Sequence, residues 1–271
     1  MKSWSNKTIV IAGGSQGLGL EIARAFGEAG GKVILMARTV ASLEQAVQEL
    51  KSANIDAQYC PLDATQWQSA QTAFESIINE FGQIDVLVNA IGKSTRSNIR
   101  DLDLQEAVDL MDLNYFSALH CTKAALESLV QTQGHVVNIG SLSCKTAWPF
   151  MTPYTASKFA LAGLTHQLRI EMGSKIHSLL VCPGPIQRKD AGARYSRKTT
   201  GLPESANAPG GGAKLKGICP AKLSRMIVRG CERHQSELIV PFKARFLFIL
   251  SAISTRLGDW LLRKSGNSKP S

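Results

Sequence analysis

The hydrophobic residues of this chain form short continuous runs that alternate with longer stretches of helical spacing. Residues 8–13 make up the first run, Thr-Ile-Val-Ile-Ala-Gly, which is rich in β-branched residues and predicts a buried strand. Over residues 20–30 the apolar positions recur at helical spacing, so a helix is predicted next. A second apolar run at residues 32–37 predicts the next strand.

The same alternation continues through most of the chain. Further helices are predicted over residues 41–53, 65–81, 104–130, around 154–158 and over 221–233, and further strands over 57–60, 84–89, 135–141, 176–182 and 237–240. Repeated strand–helix units of this length imply a parallel sheet with helices on both faces. The predicted fold is therefore a three-layer α/β fold of the Rossmann type, a doubly wound parallel sheet of about seven strands.

A glycine-rich turn joins the first strand to the first helix. Glycine permits a tight turn and a close approach of the backbone to a pyrophosphate, and the N-terminus of the following helix offers N–H groups to an anion. Because the turn lies between a predicted strand and a predicted helix, we expect a dinucleotide site here. Its candidate cofactor-binding residues are Gly13, Ser15, Gln16, Gly17, Leu18 and Gly19.

Arg38 follows the second strand, where a dinucleotide-binding fold places the residue that reads the adenosine ribose. An acidic residue there would bond the ribose hydroxyls and repel a phosphate, whereas Ala37 followed by Arg38 offers space and a guanidinium. We therefore expect NADP(H) to be preferred over NAD(H), by about ten- to a hundredfold. The alternative is a surface arginine at a strand end.

Tyr154 and Lys158 lie four residues apart in a predicted helix. Side chains at this spacing share one helix face, so the phenol and the ammonium can enter the same site. A cation beside a phenol favours the phenolate and lowers the pKa of tyrosine from about 10, which lets Tyr154 act as a general acid or base. Taken alone, the pair also fits a half-buried tyrosine beside a solvated lysine.

Together these motifs resemble the short-chain dehydrogenase/reductase family over most of the first 190 residues. The order and the spacing both match. The matching positions are the Gly13-x-x-x-Gly17-x-Gly19 turn, Asp63, Asn89 to Gly92, Asn114, Ser141, Tyr154-x-x-x-Lys158 and Pro183-Gly184.

The resemblance implies an enzyme that interconverts a carbonyl and an alcohol, and it implies four catalytic residues. Ser141 would donate a hydrogen bond to the substrate carbonyl oxygen, and Tyr154 would supply the proton. Lys158 would hold the nicotinamide ribose and lower the pKa of Tyr154. Asn114 would bend its helix around a water that relays protons to Lys158.

The resemblance also implies the remaining contacts of an NADP(H) cofactor. Asp63 would bond the adenine edge, and the backbone from Asn89 to Gly92 would flank the adenosine. Pro183, Gly184 and Ile186 complete the predicted cofactor site.

Three positions depart from the family's pattern. Ala12 and Ala90 replace residues that usually support the site by hydrogen bonds, so we expect them to cost stability rather than chemistry. Arg188 stands where the family often has a threonine that bonds the carboxamide. It could contact the cofactor phosphates, bind an acidic substrate or face solvent, and the sequence leaves these three open.

The basic charge is concentrated in the last third of the chain. Residues 1–187 carry 14 Lys and Arg against 16 Asp and Glu, whereas residues 188–271 carry 17 against 5. This excess is either a solvated surface or a site for an anionic substrate, cofactor or membrane. Nucleic acid is not an expected partner, because no aromatic-interleaved basic groove accompanies the charge.

We expect one domain over residues 1–241, with residues 188–218 as a flexible lid on the substrate, followed by an extension at 242–271. At 271 residues with 44% apolar composition the chain can bury such a core. The lid is polar, glycine-rich and basic, which suggests a substrate with an anionic handle such as a nucleotide-linked acyl thioester. We also expect a lipophilic substrate, such as a steroid, a lipid or an acyl chain, because lipid- and steroid-active relatives carry similar extensions.

Residues 242–264 predict one amphipathic helix. The apolar face of this helix could pack on the body of the protein or on a second subunit, lie on a membrane surface, or form a wall of the substrate site. Its apolar stripe consists of Phe242, Phe246, Ile249, Ile253, Leu257 and Trp260, flanked by Arg245, Arg256 and Arg263.

No metal site is predicted, because the six cysteines include no Cys-x-x-Cys pair and no histidine at ligand spacing. The short polar N-terminus and the absence of a run of about 18 apolar residues predict neither a signal peptide nor a membrane span. We expect a cytoplasmic homo-oligomer that can also lie peripherally at the inner face of a membrane. The alternatives are a non-catalytic NADP-binding protein and a peripheral membrane protein without turnover.

Overall fold

The structure is a computed structural model that describes residues 3–188, 202, 206 and 215–265, with side chains described as far as residue 262. Seven strands lie within these residues: β1 Thr8–Ala12, β2 Lys32–Ala37, β3 Ala57–Pro61, β4 Val86–Asn89, β5 His135–Ile139, β6 His177–Pro183 and β7 Glu237–Val240. The α-helices are α1 Gly17–Glu28, α2 Val40–Ser52, α3 Trp67–Phe81, α4 Leu104–Met111, α5 Ser117–Thr132, α6 Thr152–Met172, α7 Pro220–Glu232, α8 Ala244–Ile253 and α9 Thr255–Ser265.

All seven strands form one parallel sheet in the order β3-β2-β1-β4-β5-β6-β7. The chain builds outward from β1 in one direction to β3 and then returns to continue from β4 to β7. This order is that of a doubly wound sheet, and the predicted fold class is confirmed. The reversal beside β1 opens a crevice at the carboxyl ends of β1 and β4.

The strands are apolar throughout because the sheet is covered on both faces. All five residues of β1 are buried, and they alternate between two cores. Ile9 and Ile11 join one core with Phe26 of α1. Val10 joins the other with Phe74 of α3. Continuous rather than alternating hydrophobicity is thus the expected signature of this sheet.

The long helical stretch predicted over 104–130 is interrupted at its middle. A π-helical turn, Asp112–Phe116, separates α4 from α5 without ending the helix. Such turns are rare and frequently occur at functional sites. Here the turn contains Asn114, one of the candidate catalytic residues.

The single C-terminal helix predicted over 242–264 is wrong, because the structure has two helices. Ser254 has an extended backbone (φ −144°, ψ 110°), which ends α8. Its hydroxyl accepts a hydrogen bond from Leu257 N at 3.3 Å and so begins α9. The two helices pack closely at Gly258, where a Cβ would lie 2.5 Å from Ser251 Oγ. Hydrophobic spacing alone predicts one continuous helix here, because it does not detect a serine that ends one helix and caps the next.

The predicted apolar stripe faces outward. Ala244 and Phe248, on the other side of α8, pack against the small core cluster formed by Leu142, Cys144, Leu180, Cys182 and Ile239. The stripe residues themselves are 40–78% exposed: Phe242, Phe246, Ile249, Ile253, Leu257 and Trp260. Within the described residues, these six side chains are therefore not buried against the body of the chain. Among these residues, no helix is both long and apolar enough to cross a bilayer.

Candidate active site

The glycine turn follows β1 at the centre of the sheet. The N–H groups of Gly13 and Gly14 donate to Met36 O at 2.8 and 3.2 Å, which anchors the turn to β2. Gly13 (φ +87°) and Gly17 (φ +56°) adopt left-handed backbone conformations that favour glycine. A Cβ on Gly19 would overlap the carbonyl oxygen of Gly13. The turn and the start of α1 therefore require glycine at these three positions.

The start of α1 suits the diphosphate of a dinucleotide. Within the described residues no side chain caps this helix, and its first turn contains no acidic residue. A Cβ on Gly17 would meet no atom within 4 Å of it in the described part of the chain, so the space in front of the helix is open. Uncapped N–H groups beside open space can bind an anion. Ser15, Gln16 and Leu18 border the same turn.

The ends of β2 and β3 present Arg38 and Asp63 at the same edge of the sheet. The side chain of Arg38 is exposed and forms no ion pair with any described residue, so its guanidinium is available to an anion. Asp63 is half-buried, and its Oδ1 accepts from Thr65 N at 3.1 Å and from Thr65 Oγ1 at 2.8 Å. These bonds orient the carboxylate through its Oδ1.

Asn114 connects the loop after β4 to α6. The π-helical turn buries its side chain, whose Oδ1 accepts from Lys93 N at 2.8 Å. Its Nδ2 donates to Lys93 O and to Ser157 Oγ, both at 2.9 Å. Ser157 Oγ in turn donates to the carbonyl oxygen of Tyr154 at 2.8 Å. This hydrogen-bonded link places the backbone of Tyr154 relative to the loop after β4.

Lys158 lies one turn after Tyr154 on α6, and it is 4% exposed. Its Nζ donates to Ile139 O at 2.9 Å and lies 5.9 Å from the centre of the Tyr154 ring. Burial lowers the pKa of Lys158, since the charged form loses its hydration. An ammonium has three donors, and within the described residues Ile139 O is the acceptor that holds it. The other donors can serve the hydroxyls of a bound ribose.

The remaining space around Lys158 is narrow. A Cβ on Gly92 would lie 3.1 Å from Asn114 Oδ1 and 3.4 Å from Lys158 Nζ. The structure therefore brings Gly92, Asn114 and Lys158 together, with the half-buried Tyr154 beside them.

Ser141 follows β5 and begins a short 3₁₀ helix, Leu142–Cys144. Its Oγ accepts from Ser143 N at 3.1 Å, which orients the side chain and leaves the hydroxyl hydrogen to donate. Its own N–H donates to Cys144 Sγ at 3.4 Å.

Two thiols beside Lys158 were not anticipated from the sequence. Cys144 and Cys182 share a hydrogen bond, and this bond together with burial raises the pKa of Cys182. Both belong to the small core cluster under α8. Their sequence positions, scattered among the other cysteines, carry no signal for this pairing.

A buried amide network behind the crevice was also missed. Asn89 Nδ2 donates to Asn138 Oδ1 at 2.8 Å and to Thr122 Oγ1 at 3.1 Å, and Asn138 Nδ2 donates to Thr165 Oγ1 at 2.9 Å. The network joins β4 and β5 to α5 and α6. The signal that could have revealed it is Asn138 itself, an amide within the apolar run Val-Val-Asn-Ile.

The end of β6 completes the crevice. Gly184 N donates to Val240 O at 2.7 Å, and Ile186 forms a bridge with Ile218. Arg188 is exposed, and the predicted lid lies mainly outside the described residues, including Lys189, Arg194, Arg197, Lys198 and Lys214.

Comparisons with known proteins identify the family of this chain. A family model described as short chain dehydrogenase matches residues 7–198. A fly protein, "Dehydrogenase/reductase SDR family protein 7-like" of Drosophila melanogaster, is 30% identical over 95% of this chain and 80% of its own length. The mouse "Dehydrogenase/reductase SDR family member 7B" is 35% identical over 67% of this chain, and the match spans 58% of the mouse protein.

Solved structures share the fold. An alcohol dehydrogenase of the archaeon Thermococcus sibiricus complexed with 5-hydroxy-NADP superposes with a TM-score of 0.72 at 24% identity, covering 86% of this chain and 95% of that one. An actinorhodin polyketide ketoreductase with NADPH gives 0.75 at 23% identity, covering 88% and 97%.

The amide network should stabilise the protein cooperatively. Asn138→Leu leaves Thr165 without its donor, and Thr165→Val removes the acceptor, so each substitution should lower the free energy of unfolding by about 1–3 kcal/mol. Because the two side chains share one hydrogen bond, the double variant should lose less than the sum, by about 0.5 kcal/mol or more. Urea unfolding of the four proteins measures this difference. Strict additivity would contradict the coupling.

Proposed function

Because this chain belongs to the short-chain dehydrogenase family, we propose that it is an NADP(H)-dependent oxidoreductase that interconverts a ketone or aldehyde and an alcohol. The observation that best supports this proposal is the link from Lys93 through Asn114 and Ser157 to Tyr154, beside the buried Lys158. A purely nucleotide-binding protein has no need for a phenol, a buried ammonium and a hydroxyl in one crevice.

Each of the four proposed catalytic residues has a separate task. The hydroxyl of Ser141 donates a hydrogen bond to the substrate oxygen and orients it, as its fixed Oγ allows. Tyr154 then gives its phenolic proton to that oxygen in reduction and takes it back in oxidation. Lys158 favours the deprotonated phenol through its charge. Asn114 holds the loop and the helix that carry these groups at a constant distance.

The proposed cofactor site combines the start of α1 with three side chains. The nicotinamide cofactor, when bound, supplies or accepts the hydride. The N–H groups at Gly17 would bind its diphosphate, Asp63 its adenine and Lys158 its ribose. Arg38 would pair with a 2′-phosphate, because its guanidinium is exposed and forms no ion pair among the described residues. The two solved structures above, which contain 5-hydroxy-NADP and NADPH, support this preference.

We propose that the substrate is lipophilic and that reduction is the physiological direction. The outward apolar surface of α8 and α9 supports this, since six large side chains there are 40–78% exposed. Three basic residues, Lys243, Arg245 and Arg256, accompany them. Apolar side chains next to arginines and lysines suit the surface of an anionic membrane, from which such a substrate can be drawn. A second copy of the chain is the alternative occupant of this surface.

The proton-donor role is tested by Tyr154→Phe. Loss of the phenolic proton should lower NADPH oxidation by about a hundredfold or more across a panel of ketosteroids, long-chain aldehydes, quinones and 3-oxoacyl thioesters. Tyr59→Phe is the matched control, because Tyr59 lies on β3 with its hydroxyl bonded to Glu44 at the surface. Full activity of Tyr154→Phe would contradict the role, and no turnover by the wild-type protein on any carbonyl would favour a non-catalytic protein.

The cofactor preference is tested by Arg38→Ala. We expect kcat/KM with NADPH to fall by about ten- to a hundredfold while the value with NADH stays constant, because only NADPH carries the 2′-phosphate. Arg225→Ala, which removes an exposed arginine from α7, is the control. An equal loss with both cofactors would mean that Arg38 does not read the phosphate.

The membrane contact is tested by replacing the outward side chains of α8. Phe246→Ser, Ile249→Ser and Ile253→Ser together should reduce sedimentation with anionic vesicles by tenfold or more, since each burial contributes about 1.5–3 kcal/mol. The control replaces Ile99, Leu104 and Ile170, which are 68–77% exposed elsewhere. If the α8 variant instead changes the oligomeric state and leaves sedimentation unaltered, the surface is a subunit contact.

A further inference from the structure

Three of the chain's five histidines meet at the edge of the sheet opposite to the active-site crevice. His135 and His177 are the first residues of β5 and β6, and they are partners in the parallel register. Their side chains therefore project from neighbouring strands on the same face of the sheet. His234 lies in the turn between α7 and β7. Nothing in their sequence spacing predicts that the three meet.

The three imidazole rings converge closely. The ring centres of His135 and His177 are 4.9 Å apart, and that of His234 lies 5.3 and 5.1 Å from them. One nitrogen of each ring lies within 4.8 Å of the other two. Zinc binds imidazole nitrogens at about 2.0–2.1 Å, which places tetrahedral ligands about 3.3 Å from each other. Small side-chain adjustments therefore suffice, and the exposed ring of His234 is free to make the largest.

The hydrogen bonds of His177 present a lone pair to the centre of the cluster. Its Nε2 lies 2.9 Å from Gln235 O, and a carbonyl oxygen can only accept, so Nε2 carries the hydrogen. In the neutral ring Nδ1 is then bare, and it lies 2.8 Å from Nδ1 of His135, which donates to it. A metal-ligating histidine is commonly oriented in this way, because its other ring nitrogen donates a hydrogen bond to a backbone carbonyl.

The surroundings hold the first two rings in place. Trp4 packs edge-on against His135 at 5.4 Å between ring centres. The neighbouring carboxylate of Asp85 is paired with Lys7 Nζ at 2.8 Å and accepts from Thr8 N at 2.9 Å. His234 adopts a left-handed backbone (φ +49°), which is uncommon for a residue with a side chain. This conformation belongs to the end of α7, where Gln235 N donates to Gly230 O at 2.9 Å.

We propose that His135, His177 and His234 bind one Zn²⁺ ion, with water as the fourth ligand on the solvent side of His234. In the metal-bound state the Nδ1 hydrogen of His135 moves to Nε2 through solvent, so that both Nδ1 atoms of the strand pair become ligands. The ion would join β5, β6 and the turn before β7 at the amino-terminal edge of the sheet. The site takes no part in the proposed oxidoreductase chemistry, which occurs at the opposite edge.

The test uses the full chain, with any affinity tag removed and metals stripped by chelator. Titration with Zn²⁺ by calorimetry should show one ion per chain, and free Zn²⁺ at a hundred times Kd should raise Tm by about 5 °C or more. His234→Ala should weaken binding by about tenfold or more and reduce the Tm shift at the same Zn²⁺ concentration by about half or more. Because His234 is exposed, this variant is expected to fold. His166→Ala, which removes an exposed histidine from α6, should behave as the wild-type protein does.

Two further measurements separate this site from other zinc-binding groups. Co²⁺ should give the visible absorption of a tetrahedral nitrogen site in the wild-type protein and lose it in His234→Ala. Cys219→Ser should leave Zn²⁺ binding unchanged, although Cys219 is an exposed thiol. The proposal is overturned if the wild-type chain binds no Zn²⁺, if His234→Ala binds it as tightly as the wild-type protein, or if binding is lost in Cys219→Ser instead.

Discussion

The burial of the Lys158 ammonium is the constraint on which the surrounding structure depends. A buried charge costs several kcal/mol unless polar groups replace its water. Here the carbonyl oxygen of Ile139 at the end of β5 provides one such group. Gly92 lacks a side chain at the point where a Cβ would approach Nζ. The charge thus limits which residue the loop after β4 can carry at position 92.

Two polar connections hold α6 relative to the sheet, and they do so from different sides. Asn114 reaches Ser157 from the π-helical turn, and Asn138 reaches Thr165 from the middle of β5. The first lies at the crevice and the second beneath it. Since hydrogen bonds between buried side chains are directional, the pair fixes both the rotation of α6 and its position along its axis. The backbone of Tyr154 therefore has a defined place in the site.

Much of the fold was predictable because a parallel sheet buried on both faces requires continuous apolar strands. Runs such as 8–13 and 32–37 meet that requirement, and the glycine turn is readable because left-handed backbone at Gly13 and Gly17 favours one residue type. The thiols beside Lys158 and the three histidines join residues far apart in sequence, so no local pattern reveals them. The amide of Asn138 within an apolar run indicates a buried hydrogen bond but not its partners. The C-terminal helix was misread because the capping bond of Ser254 outweighs a continuous apolar period.

The packing of α8 has a consequence for where the catalytic unit ends. Phe248 and Ala244 rest on the cluster that contains Cys144 and Cys182, and those thiols in turn border Lys158. The thiol cluster thus lies between the extension and Lys158. Removal of the last thirty residues would open that cluster to water and alter the electrostatic environment of the lysine. The segment after β7 is therefore a structural part of the surroundings of Lys158, and a shortened chain would not simply be the same protein without its tail.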